Sequence, residues 1–186
     1  MGVRNSLMHR AVFLDRDGVL NRAPIRKGRP YTPNSVSELE VLPGVPEALD
    51  RLREAGFRLI VVTNQPDVAR GTQRREAVEA INSALSVQLG INDFRVCYHD
   101  DGDGCNCRKP APGLLLAAAQ EGQLDLSSCF MIGDRWRDIE AGRRVGCATI
   151  FIDYGYDEKQ PTDFHVRVQS LAEAADYICI MKGMNQ

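Results

Sequence analysis

Two carboxylates one residue apart, Asp15 and Asp17, sit in the stretch Asp15-Arg16-Asp17-Gly18-Val19, directly behind the apolar run Ala11-Val12-Phe13-Leu14. The run reads as a buried strand, and residues two apart on a strand share a side. Two acids converging at the carboxyl end of a strand suit a hard cation, a nucleophile, or both. In an open α/β sheet that edge is where ligands bind. Other apolar runs end in the same manner. Residues 57–62 stop at Thr63-Asn64-Gln65, residues 129–132 stop at Gly133-Asp134, and Arg108-Lys109 precede a helix opening at Gly113. Parallel strands would bring these ends to one edge. Together they would supply a nucleophile, a proton donor, a hydroxyl, an ammonium and a further metal ligand. Such parts suit phosphoryl transfer, in which positioning and charge neutralisation supply most of the catalysis.

A second constellation is metal-like. Cys97, His99, Cys105 and Cys107 form C-x-H-x5-C-x-C. Three thiols and an imidazole in one loop match a closed, four-coordinate zinc site, read as structural because no position is left for water. Zinc would couple to folding of the loop that carries Arg108 and Lys109. The remaining cysteines, Cys129, Cys147 and Cys179, lie in apolar surroundings and read as core residues. His9 and His165 read as surface residues, and Trp136 as a helix-start residue packing near the site.

The elements that must position these groups alternate. Strands are expected at residues 11–14, 57–62, 94–98, 129–132, 148–152 and 177–180, and helices at residues 45–53, 72–89, 113–121, 137–145 and 170–175. Alternation implies a mostly parallel sheet with helices on both faces, a Rossmann-like α/β fold. The polar segment 21–37, with Pro24, Gly28, Pro30 and Pro33, is long for a connector, and such loops are often functional. Residues 1–10 read as a loose leader before one domain over residues 11–186.

Composition narrows the function classes. The chain has 186 residues, 44% hydrophobic and 26% charged, with a net charge of −2. That is ordinary globular composition, and it sets aside a strongly basic nucleic-acid binder. No apolar run reaches membrane-spanning length, and residues 1–10 lack the apolar core of a secretory signal. A cytoplasmic monomer is the resulting expectation.

The ordered segments FLDRDGVLN, VVTNQ, CRKPAPG and MIGDRWRDIEAG resemble the four motifs of the haloacid dehalogenase superfamily of phosphohydrolases. The resemblance runs from Ala11 to about Ile152 and is closest to the small, capless, zinc-containing branch. It implies a sandwich without a large cap domain and Mg²⁺ as cofactor beside the Zn²⁺ of the loop. Asp15 would be the nucleophile and Asp17 the general acid and base. Asp15, the main-chain carbonyl of Asp17, and Asp134 would hold Mg²⁺, with Asp138 supporting them from one helical turn on. Thr63 and Lys109 would bind the phosphoryl group, and Asn64, Gln65 and Arg108 would face the substrate. The implied substrate is a small phosphorylated metabolite, with a heptose bisphosphate cleaved at its 7-phosphate ahead of histidinol phosphate. A polynucleotide end phosphatase and a non-catalytic zinc module rank below these. The segment from Ala23 to Tyr31 departs from the stretch that heptose bisphosphatases use to contact sugar. Its Arg26, Lys27 and Arg29 favour an anionic substrate.

Overall fold

The structure, a computed structural model, describes residues 9–184. The expected leader lies outside the described residues except for its last two, which are paired. The His9 amide donates to the Gln123 carbonyl at 3.0 Å, and the Arg10 guanidinium lies 5.0 Å from the centre of the Phe57 ring.

The chain runs β1 (Ala11–Leu14), β2 (Ile25–Arg26), β3 (Arg29–Pro30), α1 (Val45–Glu54), β4 (Arg58–Asn64), α2 (Arg75–Leu89), β5 (Phe94–Cys97), α3 (Gly113–Gly122), β6 (Phe130–Gly133), α4 (Trp136–Arg144), β7 (Ala148–Ile152), β8 (Val166–Val168) and α5 (Leu171–Met184). Six strands form one parallel sheet in the order β5-β4-β1-β6-β7-β8. The chain leaves β1 toward β4 on one side and returns to β6 on the other. That reversal opens a crevice beyond the carboxyl ends of β1, β4 and β6, the usual ligand position in such sheets.

Alternation along β1 builds two cores. Val12 and Leu14 join α1, α2 and α5 on one face, whereas Ala11 and Phe13 join α3 and α4 on the other. All four are fully buried, which is why β1 reads as a continuous apolar run. Between β1 and α1 the chain makes only the small antiparallel hairpin of β2 and β3 and a turn of 3-10 helix. No separate cap domain is present among the described residues.

The expected strand at 177–180 is instead the middle of α5. Leu171, Ala174, Ala175 and Ile178 are buried whereas Ile180 is 59% exposed. That spacing of three to four belongs to a helix, and a short apolar run cannot distinguish the two on its own. The strand that completes the sheet is β8, too short and too polar (Val166-Arg167-Val168) to stand out in the sequence. Elsewhere the expected elements lie within a few residues of those found. No helix is long and apolar enough to cross a membrane among the described residues.

Candidate active site

At the end of β1 the backbone turns rather than continuing as a strand. Asp15 caps its neighbour's amide, Arg16 N to Asp15 Oδ1 at 2.8 Å. Gly18 then adopts φ +84°, and a Cβ there would fall 1.9 Å from Asp134 Oδ2. The turn therefore passes directly against the acid at the end of β6, and only glycine allows it.

Asp15, Asp134 and Asp138 converge, each offering a carboxylate oxygen within 4.8 Å of the others. All are buried. The cation among them is Lys109, 1% exposed. Its Nζ lies 3.0 Å from Asp15 Oδ1 and 2.6 Å from Asp138 Oδ1, and it donates to the Val62 carbonyl at 2.6 Å. Asn64 clamps the Lys109 peptide from both sides, its amide donating to Lys109 O and its carbonyl accepting from Lys109 N, each at 3.0 Å.

Burial raises the Asp15 pKa to about 6, helped by the Asp138 charge and opposed by Lys109. Asp134 is pushed well above the usual carboxylate range, by burial first and then by Asp15 and Asp138. Burial works against the Lys109 charge, yet Asp138 and Asp15 outweigh it and its pKa rises. One ammonium does not balance three acids. Asp134 Oδ1 is buried and without a hydrogen-bond partner. A compact oxygen cluster with excess negative charge and a free donor fits Mg²⁺, whose oxygen ligands stand about 2.1 Å from the ion.

The Asp17 carboxylate faces elsewhere. It accepts from Arg16 Nη2 at 2.9 Å, from Asn21 Nδ2 at 2.9 Å and from Gln65 Nε2 at 2.9 Å. Gln65 also donates to Thr63 Oγ1 at 2.9 Å. Asp17 nevertheless lines the same cavity as Asp15, Thr63, Lys109 and Asp134, a space of about 340 Å³. Its rim is basic: Arg29, Arg70, Arg108, Arg135 and Arg137 all line it. Arg26 and Lys27 do not; Arg26 instead stacks over Tyr31, 5.3 Å from the ring centre.

The zinc-type cluster lies beside this rim. Cys97 Sγ is 3.2 Å from Cys107 Sγ and 3.8 Å from Cys105 Sγ, and His99 Nδ1 is 3.3 Å from Cys107 Sγ. A tetrahedral zinc with bonds of about 2.3 Å needs donor separations of roughly 3.7 Å, so the four groups fit that ion. Burial pushes the Cys97 thiol up to about 12. Zinc would hold it as thiolate. From the same loop Asp101 accepts from Arg108 Nε at 2.8 Å and pairs with Arg137 at 3.3 Å.

The family profile of haloacid dehalogenase-like hydrolases matches residues 22–146. This chain belongs to the haloacid dehalogenase family. It is a phosphatase of that family with an α/β sheet and, among the described residues, no cap. It is 36% identical over 176 residues to the D-glycero-beta-D-manno-heptose-1,7-bisphosphate 7-phosphatase of Helicobacter pylori strain J99, covering 91% of this chain and 97% of the relative. It is 33% identical to the Pseudomonas putida enzyme of the same name over 156 residues, 80% of this chain and 85% of that one. The D,D-heptose 1,7-bisphosphate phosphatase of B. bronchiseptica, solved with magnesium and phosphate, superposes with a TM-score of 0.76 at 28% identity, covering 94% and 99% of the two chains.

Sequence reasoning missed three residues of this phosphatase. Arg16 has no exposed surface, and besides Asp17 it reaches Thr32 Oγ1 at 2.5 Å and Asn82 Oδ1 at 2.9 Å. An arginine between two acids was the available signal. Asn21 follows the first strand within FLDRDGVLN, and its amide holds Asp17 Oδ1. Tyr156 donates to Asp134 Oδ2 at 2.8 Å and had no signal at all. Asp138, expected in a supporting place, stands in the carboxylate cluster itself.

Proposed function

We propose that this phosphatase is a Mg²⁺-dependent phosphomonoesterase that works through an aspartyl-phosphate on Asp15. The substrate we favour is D-glycero-D-manno-heptose 1,7-bisphosphate, cleaved at the 7-phosphate. The observation that carries the mechanism is Lys109, buried between Asp15 and Asp138, in a carboxylate cluster where Asp134 keeps a free oxygen.

Asp15, Asp134 and the Asp17 carbonyl would hold Mg²⁺, which when bound neutralises phosphoryl oxygens and keeps the carboxylates ionised. Lys109 orients Asp15 and, with Thr63, binds the equatorial phosphoryl oxygens. An Asp15 oxygen attacks phosphorus in line. The bond from phosphorus to the sugar oxygen breaks, and Asp17 gives that oxygen its proton. Asp17 then takes a proton from water as the water attacks phosphorus, releasing phosphate and restoring Asp15. Gln65 keeps Asp17 and Thr63 in register. The Cys97, His99, Cys105 and Cys107 zinc would be structural, holding the loop before Arg108 and Lys109.

Substrate choice rests on two supports. Relatives named for this heptose substrate match most of the chain. Arg108 also carries a buried, unpartnered Nη1 at the rim, and a guanidinium there suits the second phosphate of a bisphosphate. The test is a panel of phosphate esters that includes the heptose bisphosphate, the heptose monophosphates and histidinol phosphate. A kcat/KM highest for the heptose bisphosphate supports the assignment. A higher value for histidinol phosphate, or a flat profile, overturns it.

A further inference from the structure

The segment 153–160 is the first part of the connection from β7 to β8 and lies beyond the residues that match the family profile. It is tied to the site at three places. Tyr156 donates to Asp134 Oδ2 at 2.8 Å. Glu158 accepts from Arg135 Nε at 2.9 Å. The Asp157 amide donates to Gly28 O in the hairpin turn at 2.9 Å. Tyr156 is 9% exposed, its ring stacks on Tyr154 with centres 5.6 Å apart, and Gln160 donates to the Tyr156 carbonyl at 3.0 Å. The hydroxyl therefore arrives at Asp134 from a braced ring.

We propose that Tyr156 is a positioning residue for the magnesium site: it pins Oδ2 of Asp134 and leaves Oδ1 as the one oxygen that residue offers to the ion. The inference rests on the reading of Asp134 as a magnesium ligand. Oδ2 is enclosed by the Tyr156 hydroxyl on one side and the Gly18 backbone on another. Oδ1 is buried and unpartnered. With one oxygen held, the carboxylate cannot swing to chelate or turn away, and no ordering remains to be done when the ion binds. The donor is also of a suitable kind. A lysine or arginine here would compete with a divalent cation for the carboxylate charge. A neutral hydroxyl supports the ionised carboxylate without opposing the metal.

The experiment is titration of the purified, zinc-loaded protein with Mg²⁺ alone by calorimetry, for the parent chain, Tyr156→Phe and Asp134→Asn. The expected result is Mg²⁺ affinity roughly 10-fold or more weaker in Tyr156→Phe, with kcat largely recovered at saturating Mg²⁺. Parent-like affinity in Tyr156→Phe, with affinity lost in Asp134→Asn, overturns this inference alone. Parent-like affinity in Asp134→Asn overturns the ligand reading beneath it. Tyr156→Gln and Tyr156→Leu separate the donor from the packing. Glutamine should recover part of the affinity that leucine loses, and equal losses in the two overturn the role of the hydroxyl.

Discussion

Arg16, which has no exposed surface, holds the carboxylate of its neighbour Asp17 at 2.9 Å, whereas Asp15 is held by Lys109 and clusters with Asp134 and Asp138. The two aspartates of the first motif thus occupy different electrostatic surroundings, although one residue separates them. Asp15 sits among acids that raise its proton affinity. Asp17 sits in a cradle of donors from Arg16, Asn21 and Gln65.

Arg16→Lys should damage proton transfer more than attack. A lysine cannot reach Asp17, Thr32 and Asn82 together. We expect kcat to fall by roughly 10²-fold for sugar phosphates, the scale of general acid catalysis. The loss should be smaller for aryl phosphates, whose leaving groups need no proton. Equal losses for both classes would remove the cradle from the proton-transfer step.

Asp15→Asn should abolish turnover while the circular dichroism spectrum stays native. Lys109→Met should also lose turnover and should destabilise the metal-free protein by about 3 kcal/mol, because it strips the counter-charge from buried Asp15 and Asp138. Denaturant titration measures the second effect, and unchanged stability would count against the buried triad.

The metal-free protein should lose stability as pH rises from about 4 to about 7. The folded-state pKa of Asp15 is raised to about 6, from 3.8. A raised carboxylate pKa means that the fold favours the protonated form. Its stabilisation is complete below about pH 4 and is lost as pH passes through the folded value. Asp134 shifts in the same direction. Asp100, held low to about 2 by Arg70, acts in the opposite sense but outside this window. Mg²⁺ binding displaces the protons, so the rise in Tm on adding Mg²⁺ should be larger at about pH 7.5 than at about pH 5. A larger rise at the lower pH would contradict the burial of these acids.

Metal analysis should find one zinc per chain that resists mild chelation. Cys105→Ser should lower zinc content and Tm, and should raise KM more than it lowers kcat, because the same loop carries Asp101, the partner of Arg108 and Arg137. Folded, fully active protein without zinc would refute the structural site.

Arg108→Ala should raise KM for a bisphosphate by roughly 10-fold or more, the scale of one charge-assisted bidentate pair. KM for the corresponding monophosphate should change little. Parallel changes in both would place the second phosphate elsewhere on the rim.

Much of the site was readable from local pattern. β1, β4 and β6 are apolar runs that end at Asp15, Thr63 and Asp134, and parallel strands carry such ends to one edge. Cys97, His99, Cys105 and Cys107 fall within eleven residues at the end of β5 and the loop after it, so the sequence alone implies the cluster. What it could not reveal depends on which surfaces meet after folding. Arg16 and Asn82 are 66 residues apart, and Tyr156 and Asp134 are 22 apart. Neither pair has a period or a spacing that announces it. The segment 177–180 shows the same limit from the other direction. Its apolar residues fit a strand or a helix, and packing against α1 and β8 chose the helix. Local pattern marked the strand-end acids and the cysteine cluster; the Tyr156 contact to Asp134, the hold of Gln65 on Asp17 and the bond from Arg16 to Asn82 arose only when distant segments closed around them.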